Sequence, residues 1–327
     1  MNKVNLISLI LFASFSSSCF AQSFNVRSIF NSGATGGIEF LSPSSINDST
    51  SFSLKKYKVQ FVKVLRTKEV DLEKFDMENN NAKANQLFLI SKFSIAKPNL
   101  SNDNTFENIY NGELELTYIT ASRKRGVWLH SANISATESE KSFKYSFTPN
   151  FRAYSVYAHA KNLKFVPFFG PGVAINQGKF FALPVFGFWK RLSPQLTAEI
   201  IVPIHAKIKY NLANKVELEL ATSYSRIHAV YREGSLFKGD DNTINLRQLK
   251  NHLGINTRLS EFYKFKVEIG YAYFQELNAL STDFVRKISP SPYFNISFNY
   301  NFRNSILYKF FNEGDKLGNN KKTAKKG

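Results

Sequence analysis

The sequence predicts an all-β fold: a transmembrane, antiparallel, up-and-down β-barrel of about 12–14 strands, following a cleaved signal peptide. Three observations carry that prediction. The chain opens on an export signal. Large apolar residues then alternate with small or polar ones through most of its length. The connections between alternating segments switch between short and long.

The first residues read MNKVNLISLILFASFSSSCFAQ. Lys3 gives the positive start, Leu6 to Phe15 the apolar stretch, and Cys19-Phe20-Ala21 places small residues at the cleavage positions, so cutting is expected after Ala21. A lipoprotein reading would make Cys19 the first mature residue, but Ser16 stands where an apolar residue is usual. Because Cys19 is the one cysteine of the 327 residues, the exported chain has neither a disulfide framework nor a cysteine-based zinc site. Downstream, no apolar run reaches the ~18–20 residues of a membrane helix. The richest, Phe165 to Ile175, is interrupted by Pro167, Gly170, Pro171 and Gly172. With 32 Phe and 15 Tyr the chain is too aromatic for disorder. The expected organisation is a signal peptide at 1–21, an outer-membrane barrel domain at 22–302 and a basic periplasmic tail at 303–327.

Taken in order, the candidate strands are a weak one at 36–42, then 52–66, 84–95, 112–121, 126–137, 143–158, 163–170, 179–190, 196–202, 204–210, 215–231, 246–259, 264–275 and 293–302. Their faces differ chemically. In the last, Phe294, Ile296, Phe298, Tyr300 and Phe302 oppose Asn295, Ser297, Asn299 and Asn301. Phe265, Val267, Ile269, Tyr271 and Tyr273 oppose Lys264, Lys266, Glu268, Gly270 and Ala272 in the same way. Leu114, Leu116 and Tyr118 oppose Glu113, Glu115 and Thr117, and Val216, Leu218 and Leu220 oppose Glu217, Glu219 and Ala221. A water-soluble sandwich also alternates. However, several segments here run about 10–15 residues, the length of a tilted membrane strand, with aromatics towards the ends as girdle residues would be.

Short connections (Ser122 to Arg125, Leu192 to Gln195, Asn211 to Asn214, Ser260 to Tyr263) are expected on one side of the barrel and long ones (96–111, 232–245, 276–292) on the other. The long stretch 67–83 falls on the short side. Residues 196–210 read either as two strands with a bend at Pro203 or as one with a bulge there. Parity suggests a hairpin closing around Asn211-Leu212-Ala213, which would pair Lys207 with Glu217 and Ile208 with Val216.

The strand YFNISFNYNF resembles the terminal strand of bacterial outer-membrane barrels, with Phe302 at the aromatic end position, although here the chain runs on for 25 residues. The stretch Ala182 to Leu220 resembles a family of exported barrel proteins carrying a domain of unknown function, through Leu183-Pro184, Trp189, Pro203 and Tyr210. The resemblance implies a fold and an address, the cell outer membrane of Gram-negative type, and no reaction. It also implies the barrel assembly machinery, reading Phe302, as a partner; outer-membrane lipids are expected around the wall, and the +18 charge suits pairing with lipopolysaccharide phosphates, a lumen favouring anionic solutes, or simple solubility.

No residue is assigned a catalytic, cofactor-binding or metal role, and no cofactor is expected. The five histidines are 130, 159, 205, 228 and 252. His130 and Ser131 are neighbours on a strand and face opposite ways, as do Ser225 and His228, so neither pair joins a nucleophile to a base. His205 is in reach of Glu219 without a serine beside it. Asp240-Asp241-Asn242 lacks calcium-loop spacing, and Gly170-Pro171-Gly172 reads as a turn. The formal charge of +18 does not make nucleic acid an expected partner of an exported chain with no recognition module. Lys56, Lys58, Lys207, Lys209, Lys264 and Lys266 share the lumen with Glu113, Glu115, Glu217, Glu219 and Glu268, so a salt-bridged interior is favoured over an anion pore. The expected role is structural or interactive, or passage of small solutes. The alternative is a barrel-embedded lipid-modifying hydrolase. Enzymatic activity is not assigned, and the oligomeric state is left open. In the tail, Ile306, Leu307, Phe310 and Phe311 suggest a helical stub, and Asn319 to Gly327 a solvated basic end.

Overall fold

A computed structural model describes residues 32–68, 83–101, 108–122, 126–140, 149–159, 164–176, 179–202, 205–231, 243–279 and 286–303. Residues 1–21, expected to be a signal peptide, the residues after 303 and Asp240-Asp241-Asn242 lie outside them. The described residues form fifteen strands: β1 (Ser32–Ser45), β2 (Ser51–Lys68), β3 (Lys83–Leu100), β4 (Asn108–Ser122), β5 (Gly126–Glu140), β6 (Asn150–Ala158), β7 (Phe165–Asn176), β8 (Lys179–Arg191), β9 (Leu196–Val202), β10 (His205–Ala213), β11 (Val216–Tyr231), β12 (Thr243–Arg258), β13 (Tyr263–Ala279), β14 (Arg286–Ile288) and β15 (Ser291–Arg303). Each wall strand pairs antiparallel with its neighbours, and β15 closes the ring by pairing with both β13 and β1. The wall is therefore a closed barrel of 14 strands, with the three-residue β14 lying beside the end of β13. Closure leaves no open edge in the wall, as a sheet facing lipid requires.

Both ends of the wall, Ser32 and Arg303, lie at the end of the barrel that also carries the tight turns after β8, β10 and β12 (the turn end). At the opposite, loop end are the longer connections 232–242 and 280–290. The stretch 69–82 does join two strands at the turn end. Outward side chains form a lipid-facing band in which Ile38, Leu114, Leu116, Leu220, Leu253, Ile255 and Ile269 are exposed. Towards the turn end this band becomes aromatic. Trp128, Tyr157 and Phe169 make one run, with ring centroids 5.0 and 5.8 Å apart. Tyr263 stacks on Tyr300 at 4.9 Å in another.

Several expectations are corrected. The weak first segment is a full 14-residue strand, Ser32–Ser45. Of the expected segment 143–158, Asn150–Ala158 forms a strand, and residues 143–148 lie outside the described residues. Gly170-Pro171-Gly172 is no turn: it sits inside β7, which runs on to Asn176. Pro171 faces Pro184 of β8, and a Cβ on Gly170 would come within 1.8 Å of the Ser155 carbonyl oxygen. These residues serve close strand approach rather than reversal. Residues 196–210 are two strands, because β9 and β10 pair from Leu196↔Tyr210 to Ile201↔His205. The Lys207–Glu217 pairing is also corrected. Lys207 lies opposite Ala221, and Glu217 opposite Asn211. The hairpin closes on Asn214-Lys215 between Ala213 and Val216, and an irregularity between Asn211 and Ala213 absorbs the difference. Both side chains still line the lumen.

Strand lengths are unequal in a way that reshapes the lumen. Strands β1–β5 and β11–β13 have 14 to 18 residues, whereas β6–β10 have 7 to 13. The long strands outlast the short ones towards the loop end. β6 stops pairing with β5 at Ser135, and β10 stops pairing with β11 at Ser223. Above those points the edges of β5 and β11 would be bare, an unfavourable state for strand edges. They meet instead, in a parallel bridge pairing Val230 with Glu138 and Tyr231 with Ser139. Fourteen strands at the base thus narrow to a collar of nine: β1–β5, β11–β13 and β15. A ring of ~8–9 strands is just wide enough to be filled by side chains. This one is filled by Leu41, Phe52, Leu54, Leu100, Ile109, Ile227, Ile244, Leu246, Leu277 and Tyr293, with Ile288 of β14.

Candidate functional site: the lumen below the collar

Below the collar the interior has two halves. Against β2–β9 it is apolar, filled by Phe88, Ile90, Ile119, Leu129, Val156, Phe168, Val185 and Ile201. Against β10–β15 and β1–β4 it is a polar chamber of about 620 Å³.

The chamber is organised by register. Tracing the ladders across the wall gives a belt, Thr197–Lys209–Glu219–Gly254–Glu268–Asn295–Glu39–Lys56, in which each residue lies opposite the next. Because directly opposed residues share a face, charges on different strands are brought side by side. Glu219 is the hub. Its carboxylate accepts from Lys266 Nζ at 2.8 Å, lies 3.4 Å from Lys209 Nζ, and is 3.4 Å from His252 Nε2. Lys266 also pairs with Glu268, which accepts from Tyr293 Oη and Asn295 Nδ2, both at 2.7 Å. Lys209 reaches Glu217 at 3.0 Å, and Lys250 pairs with Glu39. Gly254 lies at the centre of this packing, with Glu219 Cβ and Lys266 Cε each 3.5 Å from where a Cβ would stand, an ordinary contact distance.

A second network straddles the apolar half. Lys92 pairs with Glu113 at 2.6 Å and Glu115 at 3.1 Å, while Ser131 Oγ and Tyr154 Oη donate to Glu115 at 2.6 and 2.7 Å. These carboxylates are buried, and each is hydrogen-bonded or paired with an ammonium, the condition under which buried charge persists.

The sequence-derived candidates fall as follows. Ser131 is in the lumen, and His130 on the outer face, where its Nδ1 lies 2.9 Å from Ser155 Oγ and its ring stacks on Trp128. That outward Ser155–His130 pair is not legible in the sequence, because its members are 25 residues apart and only the β5–β6 register joins them. Among the described residues no carboxylate bonds His130, so the pair has no acid to orient the ring. His205 does not meet Glu219; its partner is Glu199, at 2.8 Å, which also pairs with Lys207 at 2.9 Å. The cause is the shifted hairpin, which sets His205 opposite Ser223. His228 and Ser225 are on opposite faces of β11, as expected. Glu219, His252 and Glu268 come close enough for one metal ion to touch all three. Lys266 already bridges the two carboxylates, however, and Lys209 adds a second cation at Glu219, so protein ammonium groups hold the place a metal would take.

No family model matches the chain, and no curated protein sequence matches it. Among solved structures it is similar to the KdgM porin, with 10% identity, a TM-score of 0.35, and coverage of 82% of this chain and 99% of that one. It is similar also to an outer membrane channel from Pseudomonas putida F1, with 8% identity, a TM-score of 0.42, and coverage of 86% and 98%. A third is LpxR from Salmonella typhimurium, with 7% identity, a TM-score of 0.36, and coverage of 83% and 100%. At these identities the likeness concerns the fold alone.

Proposed function

We propose that the protein is an integral barrel of the Gram-negative outer membrane whose lumen is closed at rest, so that it acts as a structural or binding barrel and not as a constitutively open pore. One observation carries this reading: the nine-strand collar, filled by buried apolar side chains across the loop end. On this reading residues 1–21 are removed on export, the turn end faces the periplasm, and residues 303–327 extend there as a basic tail. Phe302 would be the residue presented to the assembly machinery, and the aromatic band would sit among lipid and lipopolysaccharide headgroups. Passage of a solute would require the β5–β11 bridge to part. The hydrolase alternative has only the Ser155–His130 pair behind it, with no third group, and is not carried further.

Two measurements test the proposal. Cell fractionation should recover the protein with outer-membrane markers, and recovery chiefly in the soluble periplasm would overturn the address. Purified barrel inserted in planar bilayers should be electrically silent at modest voltage. Stable, ohmic single-channel steps from the unmodified protein would overturn the closed lumen.

A further inference from the structure

We infer that the chamber is a binding site for a compact multivalent anion, a small solute carrying two or more carboxylate or phosphate charges, entered from the turn end. This rests on the closed-lumen reading only for its direction of entry.

The lining is strongly unbalanced. Lys56, Lys58, Lys92, Lys207, Lys209, Lys215, Arg258, Lys264 and Lys266 face the chamber, against Glu113, Glu217, Glu219 and Glu268. Nine cations meet four carboxylates. Adding the charges just behind the lining, Lys250 with Glu39, Glu115 and Glu199, still leaves ten cations against seven carboxylates.

The excess is localised. Lys56 lies opposite Glu39 in the β1–β2 ladder, the position in which it would be neutralised. Lys250 has taken that carboxylate from across the barrel, and Glu39 is nine-tenths buried around it. Lys58, two residues on and on the same face, lies opposite Gly37 and Ser94 and has no acid beside it in the ladder. Among the described residues neither lysine forms an ion pair. Two lysine side chains thus leave one face of the same strand about 7 Å apart at their Cα atoms, with Ser94 and Ser297 on the neighbouring strands as neutral donors. Gly37 clears the space in which the Lys58 stem lies, its Cε 3.0 Å from the site of a Cβ.

Like charges so placed in a walled cavity repel one another and raise the local concentration of anions. A doubly charged ligand relieves the repulsion and pairs both ammonium groups at once, which a single chloride cannot do. The chamber volume, about 620 Å³, falls in the range of small-molecule sites and excludes a folded partner.

The test is calorimetric titration of the purified, folded barrel in detergent with citrate, with pyrophosphate and with glucose, each at low and high salt. Saturable binding of citrate or pyrophosphate, weakened at high salt and absent with glucose, is expected; which of the two binds identifies the charged group preferred. The double variant Lys56→Gln/Lys58→Gln should weaken it by about tenfold or more, while Lys55→Gln/Lys97→Gln, on the outer face, should leave it unchanged. Heat-modifiable migration on gels checks that each variant is folded. If the unmodified barrel shows no saturable binding, or both double variants lose it equally, the inference is wrong. Conductance of the same preparations separates the two proposals: a silent barrel that ignores both anions sinks the site alone, and a conducting barrel that binds them sinks the closure alone.

Discussion

Replacing Phe52 by alanine would excavate the nine-strand collar. Its ring is fully buried, against Leu41, Leu54 and Leu100. Losing transfer of the ring from water costs about 2–3 kcal/mol. The surrounding strands are hydrogen-bonded on both sides and can close only part of the void. A residual cavity of roughly 80 Å³ at about 24 cal/mol per Å³ adds about 2 kcal/mol. The expected total is about 4–5 kcal/mol, at the upper end for such truncations. It is read as the shift in urea midpoint when the barrel is unfolded from micelles, followed by tryptophan fluorescence with the denaturant slope held fixed. Phe61→Ala supplies the contrast. That ring lies one strand face over, 52% exposed, and leaves no internal cavity, so its cost should be distinctly smaller. A loss below about 1 kcal/mol for Phe52→Ala, or one no larger than for Phe61→Ala, would show that the collar is not a packed layer.

Three further outcomes are expected. Gly170→Ala and Gly270→Ala should cut the yield of folded barrel, because their Cβ atoms would stand 1.8 and 1.9 Å from the carbonyls of Ser155 and Asn251, whereas Gly254→Ala, with nothing nearer than 3.5 Å, should fold normally on a heat-modifiability gel. Glu219→Gln should destabilise the barrel by about 1–3 kcal/mol in the same urea titration, less than breaking an isolated buried pair, because Lys266 keeps Glu268 and Lys209 keeps Glu217. Joint replacement of Phe298, Tyr300 and Phe302 by serine should reduce outer-membrane recovery in fractionated cells, while removal of Asn319 to Gly327 should not; the reverse pattern would mean the strand end is misplaced.

Alternation made the wall legible, because lipid and lumen impose opposite chemistry on successive residues. Parity alone assigns the polar rows 264–268 and 295–299 to the lumen, and they lie there. Parity could not place residues along the strand axis. The hairpin after β10 keeps every face while sliding Glu217 from Lys207 to Asn211, because a local irregularity near Leu212 costs nothing in the pattern. Gly-Pro-Gly misled because turn chemistry and close strand packing use the same residues. The collar was invisible for another reason: it follows from the relative heights of β5, β6, β10 and β11, which are set by where pairing stops. The Glu39–Lys250 pair, 211 residues apart, was equally beyond local reading.

The bridge between β5 and β11 also constrains the order in which the chain can be assembled. Val230 and Glu138 are 92 residues apart, and the five strands between them must be laid down as a loop before the two can meet. Closing so long a loop returns only two residue pairs, so nothing favours an early encounter. Sealing of the first strand to the last spans more residues still, yet gains a ladder from Gly33 to Leu41. The collar is therefore a late event, one that ratifies a wall already built. On the closed-lumen proposal, a chain stalled before it would be inserted, paired along most of its length and still open at the top, a transient leak that completion of the collar would end.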